Sequence, residues 1–154
     1  MLGGALSISG VMTSSGLANW LAAYIHPLVQ GYPWWAMLLL VLIGTHVIRL
    51  GILSNIAAIT VLAPILVALA PKLGLHPAAF TMLVANCDTF AYLLPTQLTA
   101  GVIAYSTGAF TMTDYFKVGW VSVAIAILYT LAIMVPWYAM LGITLWNPSA
   151  PWPF

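Results

Sequence analysis

Charge is what this sequence has least of. Its 154 residues include three basic side chains, Arg49, Lys72 and Lys117, two acidic ones, Asp88 and Asp114, and no glutamate. A net charge of +1 spread this thinly offers no basic surface for a phosphate backbone, which excludes nucleic-acid binding. The single cysteine, Cys87, cannot close an internal disulfide, and His26, His46 and His76 lie too far apart in sequence for zinc-ligand spacing. No Ser-His-Asp, Cys-His or paired-carboxylate arrangement is present, nor a Gly-rich loop carrying Lys and Ser/Thr, so neither hydrolysis nor nucleotide binding is expected and the chain does not read as an enzyme. Met1 to Gly10 lacks a basic region ahead of its apolar stretch, which argues against a cleavable signal.

What fills the space left by charge is hydrocarbon. Hydrophobic residues make up 64% of the chain, and the mean hydropathy is +1.09. This composition predicts an all-α integral membrane protein that crosses the bilayer several times, in contact with lipid, with no soluble domain and no linker.

The apolar segments are uneven, and the unevenness is informative. Met1 to Ser15 is short and rich in glycine and serine, so it reads as a partial span. Gly16 to Gln30 spaces Leu17, Trp20, Leu21, Tyr24 and Ile25 at i, i+3, i+4, i+7 and i+8, the pattern of a helix lying along the membrane surface. Trp34 to Leu53 and Ile56 to Ala70 are separated only by Ser54-Asn55. One continuous helix over both would be roughly 57 Å long at 1.5 Å per residue, nearly twice what a bilayer needs, so a hairpin dipping into the membrane is the better reading. Its tip would be non-helical backbone at membrane depth, tolerable only where protein buries it or water reaches it.

Pro71 to Pro77 is a turn reaching water, and from Ala78 the chain re-enters. The run Leu94-Pro95-Thr96-Gln97-Leu98-Thr99-Ala100-Gly101 then interrupts an apolar helix with a proline, a glycine and three polar side chains, which describes a broken helix. Gly108 to Lys117 is a second aqueous loop in which Thr113-Asp114 is expected to cap the next helix, and Val118 to Ile143 is an unambiguous span. Tryptophans at 34, 35, 120, 137, 146 and 152 suit interface anchoring.

Two polar interruptions, Ser54-Asn55 at the hairpin tip and Thr96 to Thr99 in the helix break, are placed to meet near the bilayer midplane. Half-helix N-termini there present unpaired N–H groups to an anion while unwound carbonyls face a cation, so the combination predicts anion transport. Arg49, deep in the first hairpin arm, would cost roughly 2.5 to 3.5 kcal/mol facing lipid and therefore needs a partner or water. Its functional reading is attraction of an anion or substitution for a bound cation; its structural reading is an ion pair with Asp88. Asp88 in turn reads either as a proton-coupling carboxylate or as the neutraliser of Arg49. His46 reads as a hydrogen-bonded interior residue.

Ser54-Asn55, the apolar arm with Pro64, Leu73-Gly74-Leu75-His76-Pro77, Leu94-Pro95, Gly108, Asp114 and Gly119 together resemble the C-terminal half of the divalent anion:sodium symporters, carriers of di- and tricarboxylates and sulfate. The order and spacing match from about Met1 to Ile143. In that family each inverted half carries a re-entrant hairpin with a Ser-Asn-Thr tip, followed by a helix broken after a Leu-Pro pair. The resemblance implies one inverted-repeat half of an elevator-type transporter. Residues 1–30 would be the end of a scaffold helix and an interfacial arm, and residues 31–154 a transport-domain half with the hairpin at 34–70, the broken helix at 78–105 and the last span at 118–143.

It further implies substrate contacts from Ser54, Asn55, Ile56, Thr96, Gln97, Leu98 and Thr99, and a sodium site drawing on carbonyls around Leu53 and Gln97 and on the Asn55 side chain. Ile56 stands where the family has threonine, and Leu98-Thr99-Ala100-Gly101 replaces a Thr-Pro-Pro-Asn-like stretch. No counterpart of the family's first half is present, so the resemblance implies a fragment of a longer permease, or a half that pairs with a complementary half or an inverted second copy. The complete carrier would be a homodimer in the plasma (inner) membrane, with sodium as coupling ion and no other cofactor. Proton coupling or exchange, another carrier of the same broad superfamily, and a non-transporting membrane scaffold or partner subunit are the alternative readings.

Overall fold

The computed structural model of the chain describes residues 2–52, 54–90 and 93–148, and every regular element among them is helical. Helix α1, Leu2–Ser14, and α2, Leu17–Val29, are followed by α3, Trp34–Arg49, and α4, Asn55–Leu69, which ends in a 3-10 turn over Ala70–Leu73. Helix α5, Pro77–Thr89, is separated by a short 3-10 turn at Pro95–Gln97 from α6, Thr99–Ser106. A long final helix comprises α7, Met112–Tyr129, a π-helical segment at Thr130–Met134, and α8, Val135–Met140. Asn55–Leu73 and Met112–Met140 are long and apolar enough to cross a membrane, and Trp34–Arg49 is a shorter apolar helix.

The chain reverses between α3 and α4. At the end of α3 the amides of Leu50, Gly51 and Ile52 bond back three residues, to Val47, Ile48 and Arg49, at 3.1, 3.1 and 3.0 Å. The last turn thereby tightens to 3-10 geometry before the backbone extends at Ser54, whose φ of −109° and ψ of 126° break the helix. The reversal spans residues 50–54, wider than the two residues Ser54-Asn55, because Asn55 is already the first residue of α4.

Contacts at the two ends fix the direction of each arm. The C-terminal end of α3 meets that of α5 through Thr45 and Asp88, whereas Trp34 at its beginning packs edge-on against Trp146, with ring centres 5.7 Å apart. His76, just before α5, donates its amide to the neighbouring Leu145 carbonyl at 2.8 Å. Helices α4 and α5 pack antiparallel along their lengths, joined by the 3-10 turn and Gly74. Gly74 has φ +72°, a conformation that an L side chain would strain. His76 caps α5 by accepting from the Ala79 amide at 3.3 Å.

The core lies between α3, α4 and α5: Leu38, Leu42, Leu69, Phe80 and Leu83 are each at most 1% exposed. Helices α1 and α2 lean on α4. Helix α2 turns Ala18, Ala22 and Val29 inward, while Trp20 and Tyr24, members of the apolar stripe read from the sequence, point out and stack on one another. Leu21 and Ile25 of the same stripe pack partly against the core. Trp34, Trp35, Trp120, Trp137 and Trp146 all remain about half exposed; Trp152 lies outside the described residues.

Three boundaries differ from expectation. The last helix begins at Met112, six residues before Val118, and ends at Met140, before Ile143, so the loop ahead of it is shorter than Gly108 to Lys117. Its cap is Thr111 and not Thr113: Thr111 Oγ1 accepts from the Asp114 amide at 3.3 Å, and the Asp114 carboxylate receives the Thr111 amide at 3.2 Å. Asp114 therefore sits at the third helical position, where its charge also complements the helix dipole. The break in the α5–α6 region is longer than the Leu-Pro run, since α5 ends at Thr89 and α6 opens at Thr99.

Candidate functional site

The hairpin turn and the helix break meet. Gln97 is 4% exposed, and its side-chain oxygen accepts from the Leu93 and Leu94 amides at 2.9 and 3.2 Å. Its side-chain nitrogen donates to the Arg49 carbonyl at 3.4 Å. One amide thus satisfies two backbone donors that the break would otherwise leave unpaired and ties that loop to the last residue of α3. Both ends of the Gln97 side chain are engaged within the protein, so it braces the site.

On the hairpin side, Ser54 Oγ accepts from the Ala57 amide at 3.4 Å, a cap that leaves the hydroxyl hydrogen free to donate elsewhere. Asn55 Oδ1 is buried and has no hydrogen-bond partner among the described residues. An orphaned buried acceptor is unusual and marks a place where a ligand would be welcome. Ile56 is 58% exposed, which leaves it facing away from the packed core. Leu53 lies outside the described residues.

On the break side, Thr96 and Leu98 are exposed, and Leu98 is extended at φ −134° with no side-chain cap on α6. The amides of Thr99, Ala100 and Gly101 belong to the first turn of α6 and have no earlier helical carbonyl to pair with. Gly101 is required by packing: a Cβ there would stand 2.7 Å from the Pro95 carbonyl oxygen and 3.1 Å from the Tyr115 hydroxyl. The absence of a side chain lets α6 fold back against the Pro95 backbone.

Beside this meeting point lies a buried charged cluster. Arg49 and Asp88 are each 1% exposed, His46 3% and Thr45 4%. Asp88 Oδ1 is 3.3 Å from His46 Nδ1 and accepts from Thr45 Oγ1 at 3.3 Å. The Arg49 guanidinium is close enough to act on Asp88 electrostatically. The carboxylate is therefore shared among three partners from α3 at positions 45, 46 and 49, one turn of a single helix face. His46 and Thr45 were not prominent in the sequence as functional residues; the available signal was their spacing from Arg49. On the other side of α5, Cys87 is buried and Asn86 Nδ2 donates to the Met82 carbonyl at 2.9 Å.

A hairpin and a broken helix joined by one glutamine on an all-helical, apolar frame can be compared with known proteins. The sodium:sulfate symporter transmembrane region matches residues 1–144. The chain belongs to this family. Solute carrier family 13 member 1 of Mus musculus is 32% identical over 119 residues, covering 77% of this chain and 20% of that protein. The sodium-dependent dicarboxylate transporter SdcS of Staphylococcus saprophyticus is 29% identical over 150 residues, covering 96% of this chain and 28% of that protein. The Na(+)/dicarboxylate cotransporter 3 of Rattus norvegicus is 29% identical over 119 residues, 77% and 20% respectively. The chain thus spans 20 to 28% of the length of these relatives. The matched family model is of a symporter transmembrane region, and the names of these relatives are those of transporters and not of enzymes.

Proposed function

We propose that this chain supplies one side of the substrate site in a sodium-coupled carrier of small divalent anions, dicarboxylate, tricarboxylate or sulfate. The observation that carries the reading is the bond from Gln97 to the Arg49 carbonyl, which holds the start of α6 against the hairpin turn. The ends of two helices, α4 at Asn55 and α6 at Thr99, then belong to one locus, and each offers first-turn amides to an anion. Ser54 would donate its hydroxyl, Asn55 its amide, and the backbone from Thr96 to Thr99 its N–H groups. Ile56 and Leu98 add apolar walls, which favour a compact anion over one needing a further hydroxyl donor.

Sodium would enter as co-substrate. It binds neutral oxygen, and the buried, unpartnered Asn55 Oδ1 is such an oxygen; the Gln97 and Leu53 carbonyls would complete the set. Arg49 and Asp88 bias the field next to it, the arginine towards the anion.

In this reading residues 34–70 form a hairpin that enters and leaves on one membrane face. Helices α5 and α6 are the broken span, and the unit moves as an elevator against a scaffold that α1 and α2 begin. A complementary inverted half, in the same longer protein or in a partner, supplies the other side of the site, and the assembled carrier is a dimer in the plasma membrane.

Calorimetric titration of the purified chain with sulfate and succinate, with and without sodium chloride, tests the proposal. Binding that strengthens with sodium and disappears in Ser54→Ala is expected. Binding insensitive to both changes would overturn it.

A further inference from the structure

Nδ1 of His46 lies 2.7 Å from the Leu42 carbonyl oxygen and 3.3 Å from Asp88 Oδ1. A carbonyl only accepts, so Nδ1 carries the hydrogen of the neutral ring and Nε2 is left as a bare acceptor. Nε2 is buried and has no hydrogen-bond partner among the described residues. The Thr45 hydroxyl repeats the arrangement, at 2.9 Å from the Leu42 carbonyl and 3.3 Å from Asp88 Oδ1. Two donors on α3 are therefore shared between a carbonyl of α3 and a carboxylate of α5.

The ionisable groups around the ring are few. Asp88 of α5 meets it directly, Arg49 of α3 and Cys87 of α5 interact with that carboxylate, and the Thr130–Met134 segment contributes the neutral Thr130. Helix α4 has no ionisable side chain. With Asp88 ionised, Arg49 cationic and His46 neutral, the cluster has no net charge.

We infer that His46 and Asp88 form a single buried proton-binding site that takes up a proton when an anion binds at the adjoining hairpin turn. The proton is taken from hydronium in the medium: one O–H bond of hydronium breaks, leaving water, as one N–H bond forms at the unpartnered Nε2. The protonated cluster carries a full positive charge in a buried place, which is unfavourable alone and favourable beside an anion. Arg49 connects the two places: its side chain belongs to the cluster, and its carbonyl is the group that Gln97 binds from the break. Because such coupling is reciprocal, bound anion holds the proton and bound proton holds the anion. The anion half of this inference rests on the proposed function; the proton-binding half does not.

The test separates them. The chain is purified in detergent with 15N-labelled histidine, and His46→Asn, which keeps an amide donor where Nδ1 sits, assigns the His46 signals. Those signals are read over a series from roughly pH 5 to 8: adding sulfate or succinate should move the change between the neutral and protonated ring, and Asp88→Asn, by removing the anionic partner, should move it too. Should Asp88→Asn not fold, Thr45→Val, which removes a donor to the carboxylate, should also move it. In weakly buffered solution with a pH indicator, sulfate or succinate should draw up to about one proton per anion bound, and none per anion bound in His46→Asn. A His46 ring that holds one protonation state throughout that range overturns the proton site. Anion binding without proton uptake overturns the coupling. Absence of anion binding at every pH strikes the proposed function instead, and the ring titration still decides the proton site.

Discussion

The Gln97 side chain donates to the Arg49 carbonyl across 48 positions of sequence, while the same amide's oxygen takes the Leu93 and Leu94 N–H groups. Two backbone donors freed by the break are thereby satisfied by one side chain, which also adds a second donor to the Arg49 carbonyl that the Ile52 amide already binds. The two interruptions need each other: without the break, the last turn of α3 loses a donor, and without the hairpin, the glutamine has nowhere to anchor its nitrogen.

Replacing Gln97 tests both roles separately. Gln97→Leu orphans the buried Leu93 amide and should destabilise the protein by about 1–3 kcal/mol. Gln97→Glu keeps an acceptor for Leu93 and Leu94 but sets a carboxylate oxygen against the Arg49 carbonyl, so it too should melt below the wild type. Thermal unfolding in detergent followed by circular dichroism ranks the three. Equal melting of the two variants would show that the link to Arg49, and not the break, dominates.

Gly101→Ala sets two effects of opposite sign against each other. Helix propensity favours alanine by about 1 kcal/mol, but the added Cβ would lie 2.7 Å from the Pro95 carbonyl oxygen, a backbone atom that cannot swing aside. Overpacking of this kind costs about 1–3 kcal/mol, so net destabilisation is expected. Gly10→Ala, where nothing lies within 4 Å of the new methyl, should show the opposite sign. Melting temperatures of the pair give the answer directly.

The sequence foretold the elements better than their ends. Polar residues amid hydrocarbon located both interruptions, because Ser54-Asn55 and Pro95 to Thr99 have no reason to stand among apolar helices unless the backbone opens there. The Thr111 cap was missed because a Thr-x-x-Asp box and an adjacent Thr-Asp pair look alike until the hydrogen bonds are seen, and the early start at Met112 followed from that. Helix α2 divides its apolar stripe: Leu21 and Ile25 pack against the core while Leu17, Trp20 and Tyr24 face outward, a split that a hydrophobic stripe cannot reveal when both faces are apolar. The one local signal for His46 was its spacing from Arg49; its significance arises from Asp88, 42 positions away and on another helix.

Pro136 accounts for the π-helical segment at Thr130–Met134. Without an N–H it cannot pair with the Ala132 carbonyl, and the turn ahead of it widens. Pro136→Ala restores the donor, so the segment should relax to α geometry and rotate the following turn by about 100°. Tyr138, now 8% exposed, would then leave the buried face it occupies. Nitration of Tyr138, mapped by peptide mass spectrometry, should therefore be slow in the wild type and several-fold faster with Pro136→Ala; equal rates would show that the π segment has another cause.

Asn55 offers the sharpest separation of stability from binding. Its side-chain oxygen is buried without a hydrogen-bond partner among the described residues, so the folded protein gains nothing from it and bears its desolvation. Most buried asparagines behave otherwise, losing about 1 kcal/mol or more on truncation because a partner is orphaned. Asn55→Ala should therefore melt within about 0.5 kcal/mol of the wild type, or slightly above it. Sodium-dependent binding of sulfate or succinate should nonetheless fall at least tenfold, since the same oxygen is the one proposed to face the cation. A variant that loses stability and keeps binding would reverse the assignment, making Asn55 a structural residue whose partner is a bound water and not an ion.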